Sequence, residues 1–280
     1  MIFLITQLVV WLNALANAVG GLLLAPLGVL PGWLSATFVA IITGVGLLIV
    51  FKYTSNQRAI KRVKDDIKAN LLALKLFKEN PAVTLGAQGR IMAAALRLMV
   101  LAIVPMLVMV VPVLLMLGQL SLWYQGRPLR VGEAALVTMT LNEDAVPLPD
   151  VQLKPTDAFA VAIGPVRVPS KREVCWSIEA RQPGEHRLML QVGGQTAEKQ
   201  FAVGDRLMRI SALRPGWSWS DALMYPAERP FAADSSIRSI AIDYPTRSSW
   251  TSGADSWVVY WFAVSMVAGF AFRGLFNVNM

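Results

Sequence analysis

The side chains that most often carry out chemistry in proteins are scarce in this chain. Its 280 residues include one histidine, His186, and one cysteine, Cys175. Neither has a second histidine, cysteine or carboxylate at metal-ligand spacing, and a single cysteine cannot form an intrachain disulfide. The surrounding pattern predicts a surface strand for His186 and a buried thiol for Cys175. We therefore expect no enzyme active site, no metal and no cofactor.

Two further features argue against nucleotide binding and ion pumping. The stretch VGGLLLAPLGVLPG is wholly apolar and has no Lys-Ser or Lys-Thr after it, so it is not a phosphate-binding loop. The long apolar stretches of the chain contain no carboxylate, which argues against a proton-coupled pump. A transporter is the weakest function class, since no intramembrane charge or paired broken-helix repeat is present.

Charged residues are missing from long parts of the chain. They make up 16% of the sequence, against about 25% in a typical soluble domain. None occurs in residues 1–51 or 98–126, and Arg273 is the only one in residues 256–280. Apolar stretches of about 20 residues predict transmembrane helices. The composition thus excludes a purely soluble protein, a disulfide scaffold and a disordered chain.

We predict three spans from these stretches. They cover Trp33–Phe51, Leu98–Trp123 and Trp257–Phe276, and two prolines bend the second, because proline inside a helix removes a backbone hydrogen bond. Aromatic residues near their outer ends are typical of interface anchors. Residues 1–30 predict a weakly amphipathic helix whose two asparagines and two glycines share one face. We favour an interfacial or re-entrant position for this helix, and a fourth span stays open.

The basic residues indicate which side of the membrane is cytoplasmic. Residues 52–97 carry ten Lys and Arg against three Asp and Glu, a net charge of +7, whereas residues 98–255 carry fifteen of each sign. Short cytoplasmic loops attract basic residues, and long exported domains largely ignore charge. We therefore predict a multi-pass protein of the plasma (inner) membrane, with residues 52–97 cytoplasmic and 124–255 extracytoplasmic. A basic patch can also bind nucleic acid, but its position between two membrane segments leads us to expect no specific nucleic-acid recognition.

The cytoplasmic segment has the pattern of a helical hairpin. Apolar residues at three- and four-residue spacing predict one helix over Asn56–Lys78, which ends before Asn80–Pro81 because the residue before proline is pushed out of the helical region. A second helix restarts near Thr84 and continues into the second span. The hairpin is either a connector with a solvated basic face or a docking arm for nascent chains, ribosomes or anionic lipid. Its candidate docking residues are Lys61, Lys64, Lys68, Lys75, Lys78, Arg90 and Arg97.

Residues 132–205 change to the two-residue period of β-strands. Five short alternating runs, separated by Pro, Gly and Asp turns, predict a small antiparallel β-sandwich. Trp176 in the third run resembles the core tryptophan of immunoglobulin-like folds. Residues 206–255 are rich in Pro, Trp and Ser and contain one strand-like run, Ile237–Tyr244. We expect them to wrap the sandwich and to lay Trp217 and Trp219 on the membrane surface.

The order of these elements carries a family resemblance. One span leads into the basic hairpin NQRAIKRVKDDIKANLLALKLFKENPAVTLGAQGRIMAAALRLM, which leads into the proline- and methionine-rich span VLAIVPMLVMVVPVLLML. This order resembles the YidC/Oxa-type membrane insertase superfamily, especially its short archaeal members and the insertase subunit of the ER membrane complex. The resemblance covers roughly residues 1–123 and the last span. It implies a three-helix core with a cytoplasmic coiled coil between the first two helices, preceded by an outer-leaflet amphipathic helix.

The resemblance also implies a hydrophilic groove among the membrane helices. Many bacterial insertases of this family carry an arginine there, whereas the first two spans here contain no charge, so polar side chains would have to form the groove. Ser and Thr in membrane helices also bond to their own backbone or to a neighbouring helix. Methionines at seven-residue steps suit a promiscuous apolar surface, and equally suit packing or lipid contact. The candidate groove residues are Asn13, Asn17, Thr37, Thr43, Ser265, Met99 and Met106.

Two functions follow as expectations. The first is an insertase-like chaperone in protein transport, which assists client membrane proteins or nascent chains in entering the lipid bilayer or folding there. The second is a structural or adaptor subunit of a membrane complex that links a cytoplasmic partner to an extracytoplasmic one. The predicted fold class is an α-helical membrane protein with an inserted all-β, immunoglobulin-like extracytoplasmic domain. Its predicted segments are 1–30 (interfacial or re-entrant helix), 31–51 (first span), 52–97 (hairpin), 98–123 (second span), 124–205 (β-sandwich), 206–255 (wrap and connecting strand) and 256–280 (third span and short cytoplasmic tail).

Overall fold

The computed structural model describes residues 2–77, 79–142, 149–253 and 256–278. The chain divides into two units. The first comprises Met1–Ala36 with Leu114–Tyr260 and holds the β-strands, and the second comprises Thr37–Val113 with Trp261–Met280.

Three helices are long and apolar enough to cross a membrane, namely α1 (Ile2–Leu24), α2 (Gly32–Thr54) and α4 (Pro81–Tyr124). α1 and α2 have 23 residues each, so both are about 35 Å long at 1.5 Å per residue and exceed the ~30 Å of a bilayer core. A further apolar helix, α6 (Trp257–Phe272), has 16 residues. These helices support the prediction of a membrane protein, while the identity of the membrane and the side of each segment stay predictions.

α6 ends four residues before the predicted end of the third span. Beyond Phe272 the chain turns, Asn277 adopts a left-handed conformation with φ of 51°, and the amide of Val278 donates to the carbonyl of Arg273. A left-handed residue is a common feature of helix ends, and asparagine tolerates it. The predicted span is longer than α6, because hydropathy shows which residues are apolar but not where the helix ends.

The hairpin segment contains α3 (Gln57–Leu76) and the first part of α4. The Oδ1 atom of Asn56 accepts the amide of Ala59 at 3.1 Å and caps α3. α4 begins at Pro81, three residues before the predicted restart near Thr84, and continues through the second predicted span. Proline breaks a helix interior but is favoured at the first helical position, where Pro81 lies. Just before it, the side chain of Asn80 accepts a hydrogen bond from the amide of Ala82 at 3.1 Å.

The first unit contains two antiparallel sheets. The larger has the order β3–β4–β1–β8–β7, and the smaller has the order β2–β5–β6. A short helix, α5 (Trp219–Met224), lies between β7 and β8 along the chain. The strands are β1 (Ala134–Leu141), β2 (Val151–Lys154), β3 (Phe159–Val168), β4 (Glu173–Ala180), β5 (Gly184–Val192), β6 (Gln195–Val203), β7 (Leu213–Arg214) and β8 (Ile237–Ile242).

Side chains from both sheets share one hydrophobic core. Phe159 of β3 and Phe201 of β6 meet edge to face, with ring centroids 6.1 Å apart. Trp176 of β4 is 2% exposed and belongs to the same core, as the sequence predicts. The two sheets therefore pack against each other as a β domain, whose membership of the immunoglobulin class stays a prediction.

The β domain continues past the predicted boundary at residue 205. β8 pairs with β1, placing Ile240 opposite Met139, and it lies inside the five-stranded sheet. The hydroxyl of Tyr244 then accepts the amide of Ala202 in β6 at 2.9 Å. Residues 206–255 thus supply an internal strand as well as surface segments. Pairing between strands about 100 residues apart leaves no local signature in the sequence.

Candidate functional site

The candidate groove residues fall into two groups. Asn13 and Asn17 belong to the unit that holds the β-strands, whereas the other unit contains Thr37, Thr43, Met99, Met106 and Ser265. Within each unit, Asn13, Asn17, Thr43 and Ser265 make hydrogen bonds to their own helix or to a neighbouring segment.

The two asparagines of α1 hold the segment that contains α5. Asn13 is buried and donates from Nδ2 to the carbonyl of Ala222 at 2.6 Å. Asn17 donates from Nδ2 to the carbonyl of Pro226 at 2.7 Å. Each bond joins residues 209 positions apart in the sequence. The two side chains therefore bond α1 to the segment around α5, and both also line a cavity of about 210 Å³ beside Trp11 and Pro226. Their role in a groove stays a prediction.

The Oδ1 atom of Asn17 accepts two further hydrogen bonds. Gln119, near the end of α4, donates from Nε2 at 2.7 Å, and Arg209 donates from Nη2 at 2.8 Å. Arg209 also donates to the carbonyl of Ala227 at 3.0 Å. We name Asn13, Asn17, Gln119 and Arg209 the junction cluster. It ties α1 to the last turns of α4 and to the β domain.

A buried ion pair lies in the same unit. Lys199 of β6 has a fully buried side chain, and its Nζ lies 2.7 Å from Oε1 of Glu228, whose side chain is 7% exposed. The same ammonium donates to Oγ of Ser211 at 2.9 Å and to the Ser211 carbonyl. The second oxygen of Glu228 accepts the amide of Gln200 at 3.0 Å. Both charges are therefore compensated by close partners.

The contact of Ser211 with Lys199 has the spacing of a nucleophile and its base. Burial lowers the pKa of Lys199 to about 8, and the neighbouring Glu228 carboxylate opposes that shift. The Glu228 carboxylate 2.7 Å from Nζ favours the ammonium form of Lys199, which has no lone pair with which to take a proton from Ser211. The geometry supports a structural ion pair better than nucleophilic catalysis.

Sequence reasoning missed this ion pair, although a signal for it exists. In the run TAEKQFAV the two-residue period places Lys199 on the same face as Ala197 and Phe201, both of which are buried in the core. A lysine at an inward position of a strand requires a buried partner. The partner, Glu228, is 29 residues further along the chain and cannot be identified from the pattern.

A polar cavity of about 250 Å³ is lined by His186, Arg209 and Ser211 among others. His186 lies half-buried on β5, and its Nε2 is 2.9 Å from the carbonyl of Gln182. Cys175, predicted as a buried thiol, is half-buried as well, with Sγ 3.8 Å from Oγ1 of Thr138. Within the described ranges no group of three or more His, Cys, Asp and Glu residues could hold a metal ion.

In the second unit, the hydroxyls of Thr43 and Ser265 on the apolar helices are hydrogen-bonded. Thr43 donates to the carbonyl of Ala40 at 3.0 Å and accepts from Nε1 of Trp261 at 2.8 Å. Ser265 donates to the carbonyl of Phe262 at 3.0 Å. Thr37 is half-buried on α2. Thr43 and Ser265 thus bond to their own helix or to a neighbouring one, as is usual for such residues.

α4 is apolar and largely exposed on most of its sides between Met92 and Leu114. Met99 is 61% exposed and Met106 60% exposed, and Met92 lies one heptad earlier at 65%. Other large side chains around them are also exposed, among them Leu96, Val100, Ile103, Leu107, Val110 and Leu114. We name the surface around Met92, Met99 and Met106 the methionine face. In the described part of the chain it is mostly uncovered.

The hairpin presents basic side chains together with apolar ones. Lys68 lies 3.9 Å from Asp65, and Arg90 donates to the carbonyl of Gly86 at 3.2 Å. Near the turn between α3 and α4, Leu72, Leu76 and Phe77 are each more than half exposed. Lys78 lies outside the described residues. The other predicted docking residues are exposed except for the half-buried Lys64; they are Lys61, Lys68, Lys75, Arg90 and Arg97.

Comparisons of this chain with protein-family models, with curated proteins and with solved structures find no match.

Proposed function

We propose that the protein is an insertase-like factor that assists client membrane segments in entering the bilayer. The main observation behind this proposal is the exposed methionine face of α4. Most of this face comes directly after the basic hairpin, which consists of α3 and the first part of α4. The order of α2, hairpin and α4 also agrees with the resemblance to YidC/Oxa-type insertases. Membership of that superfamily is part of the proposal.

The methionine face gives an entering segment a surface to fold against. In hydrocarbon, each backbone group without a hydrogen-bond partner costs several kcal/mol, so a client must form its helix as it leaves water. Methionine side chains are unbranched and flexible, and they adapt to apolar partners of different shapes. This mechanism rests on the apolar surface alone. The predicted polar groove stays a prediction, and its candidates Asn13, Asn17, Thr43 and Ser265 all make hydrogen bonds.

The hairpin would receive clients before they reach the methionine face. Its net charge of +7 attracts anionic lipid headgroups and acidic client tails. The exposed Leu72, Leu76 and Phe77 near its turn offer an apolar contact to a segment that is still outside the bilayer. Nascent chains and ribosomes are the corresponding partners.

Reconstitution tests the proposal directly. The purified protein is placed in phospholipid vesicles, and a single-span client made by cell-free translation is added, with insertion scored by protease protection of its short translocated tail. We expect a larger protected fraction than in protein-free vesicles. Equal protection in both would overturn the proposal.

Matched charge variants refine this test. Replacing Lys61, Lys64 and Lys68 by Gln is expected to reduce client insertion, because these side chains lie on the hairpin. Replacing Lys154, Lys171 and Arg181 of the β domain by Gln removes the same charge from exposed positions and should leave insertion unchanged. An equal loss of client insertion in both variants would contradict a specific role of the hairpin.

The second candidate is an adaptor subunit, because the exposed methionine face could equally hold one constant partner helix. A photoreactive amino acid at Met99 or Met106 distinguishes the two functions, with the half-buried Met109 as the control position. Crosslinks to several unrelated clients during synthesis support insertion. A single stoichiometric partner at both positions supports the adaptor.

A further inference from the structure

The unit that holds the β-strands contains two adjoining cavities of different character. One is the polar cavity of about 250 Å³ beside His186, which Arg187 and Arg209 also line. The other has a volume of about 460 Å³ and a mostly apolar lining, which includes Val29, Trp123, Val203, Leu207 and Met208. Arg209 and Glu185 line both cavities, so the two meet at these side chains. An apolar cavity with a few charged groups at one end is typical of a site for an amphiphilic ligand.

The guanidinium of Arg209 is partly buried, and its hydrogen bonds go to neutral groups. Both bonds come from Nη2, one to the amide oxygen of Asn17 and one to the carbonyl of Ala227. Its Nε is buried and has no hydrogen-bond partner among the described residues. Burial lowers the pKa of Arg209, and the carboxylates of Glu185 and Glu228 oppose this shift. Because a buried charge is costly unless it is paired, an anion in the polar cavity would stabilise this cation.

Further hydrogen-bond donors line the polar cavity. Arg187 of β5 and Gln200 of β6 lie opposite each other in the strand register, and both side chains are exposed. Nη1 of Arg187 donates to Glu198 at 2.9 Å, while a guanidinium has five N–H groups in all. Among the described lining residues, Glu185 is the one acidic side chain, against the two arginines. The lining therefore carries an excess of positive charge and favours an anion.

The apolar cavity lies at the ends of two predicted spans. Gly28 and Val29 belong to the turn before α2, which begins at Gly32, and Trp123 is the residue before the last one of α4. Where α2 and α4 cross the bilayer as predicted, these residues lie at its surface, at the level of the lipid headgroups, where tryptophan is enriched. A phospholipid with a negative headgroup has the matching chemistry, since its phosphate suits the arginines and its acyl carbons suit the apolar lining.

We propose that the two cavities together bind an anionic phospholipid of the leaflet on the side of the β domain. The phosphate lies in the polar cavity with Arg187 and Arg209, and the glycerol and first acyl carbons lie in the apolar cavity against Trp123. Guanidinium groups suit this role because their N–H groups can bind two phosphate oxygens at once. The site does not depend on the proposed insertase function. The predicted topology enters only in the choice of leaflet.

Calorimetric titration of the full-length protein in an uncharged detergent tests the site. The three probes are a short-chain phosphatidylglycerol, the phosphatidylcholine with the same acyl chains, and inorganic phosphate. We expect the Kd for phosphatidylglycerol to be the lowest of the three. Phosphatidylcholine has no net charge to match the arginines, and inorganic phosphate has no acyl chains to fill the apolar cavity.

Two substitutions with opposite expected effects separate this site from general charge attraction. Arg187→Gln should raise the Kd for phosphatidylglycerol about two- to fivefold, as expected for an exposed ion pair. Glu185→Gln removes the negative charge from the polar cavity and should lower this Kd by a similar factor, a gain that damage to the fold would not produce. The matched controls are Arg238→Gln in β8 and Glu179→Gln in β4, which change the same charges at exposed positions outside both cavities and should leave the Kd unchanged.

Four results would overturn the proposal. Equal Kd values for phosphatidylglycerol and phosphatidylcholine would show that the negative charge is not recognised. Equal Kd values for phosphatidylglycerol and inorganic phosphate would replace the lipid by a free anion. Equal effects of the cavity substitutions and their controls would place binding elsewhere on the chain, and no binding of any probe would remove the site altogether.

Discussion

At the scale of single residues, the surroundings of Glu133, a residue of the β domain, strongly lower the pKa of its carboxyl group. Both of its oxygens accept from the guanidinium of Arg127 at 2.7 Å, and one also accepts the amide of Arg130 at 2.9 Å. The hydrogen bond from Arg127, the largest cause, lowers the pKa of Glu133 from 4.5 to about 2. The bonds lie where the chain leaves α4 and enters β1, so they fix the start of the β domain.

Glu133 should make the stability of the β domain depend on pH in the acid range. A pKa that is lower in the folded state contributes stability above pH 4.5, and this contribution disappears as the pH falls from 4.5 to about 2. The Glu133→Gln variant should lose less stability over this window than the natural chain. Urea unfolding followed by tryptophan fluorescence at a series of pH values measures the difference. Parallel pH profiles for the two proteins would contradict the assignment.

The Lys199–Glu228 pair makes a separate prediction. Replacing Glu228 by Gln leaves a buried ammonium without its counter-charge and should lower the free energy of unfolding by about 3–5 kcal/mol. Replacing Lys199 by Met as well removes the uncompensated charge and should restore a large part of the loss. A double-mutant cycle in urea measures the coupling. If the double variant is less stable than Glu228→Gln alone, the ion pair is not the reason for the loss.

At the scale of helices, Gly44 allows the backbones of α2 and α6 to approach each other closely. A Cβ atom at Gly44 would collide with the backbone of Ser265, whereas a Cβ at Gly46 would meet no heavy atom within 4 Å. Gly44→Leu should therefore force the two helices apart and break the bond from Trp261 to Thr43, at a cost of about 1–3 kcal/mol. Gly46→Leu is the matched control and should behave like the natural chain. The melting temperature in detergent compares the variants, and equal values would refute a close crossing.

The elements that the sequence predicts well are those whose pattern is local. The alternation of apolar and polar residues around Val137, Trp176 and Leu190 predicts β1, β4 and β5. The long stretches without charged residues predict the apolar helices. β2 and β7, with four and two residues, are too short for a periodic signal. The candidate site is less predictable, because Asn13 and Glu228 have partners that only the folded chain brings close. A polar residue on an apolar face indicates a partner but does not identify it.

At the scale of the whole molecule, the charge distribution predicts that the hairpin and the β domain lie on opposite sides of the membrane. In the Cys175→Ala background, a cysteine at Glu79 of the hairpin should react with an impermeant thiol reagent from the cytoplasmic side only. A cysteine at Asp157 should react from the other side only, because the +7 segment is retained inside. Labelling of both positions from the same side would overturn the predicted topology.

The two prolines inside α4 have a consequence for the interior of the bilayer. Pro105 and Pro112 lack the N–H groups that would otherwise bond to the carbonyls of Leu101 and Val108, four residues earlier. Two main-chain oxygens in the uncharged part of α4 therefore lose their regular intrahelical donors. If α4 spans the bilayer as predicted, its own peptide backbone provides hydrogen-bond acceptors at membrane depth, which a water molecule or the proposed client segment can use.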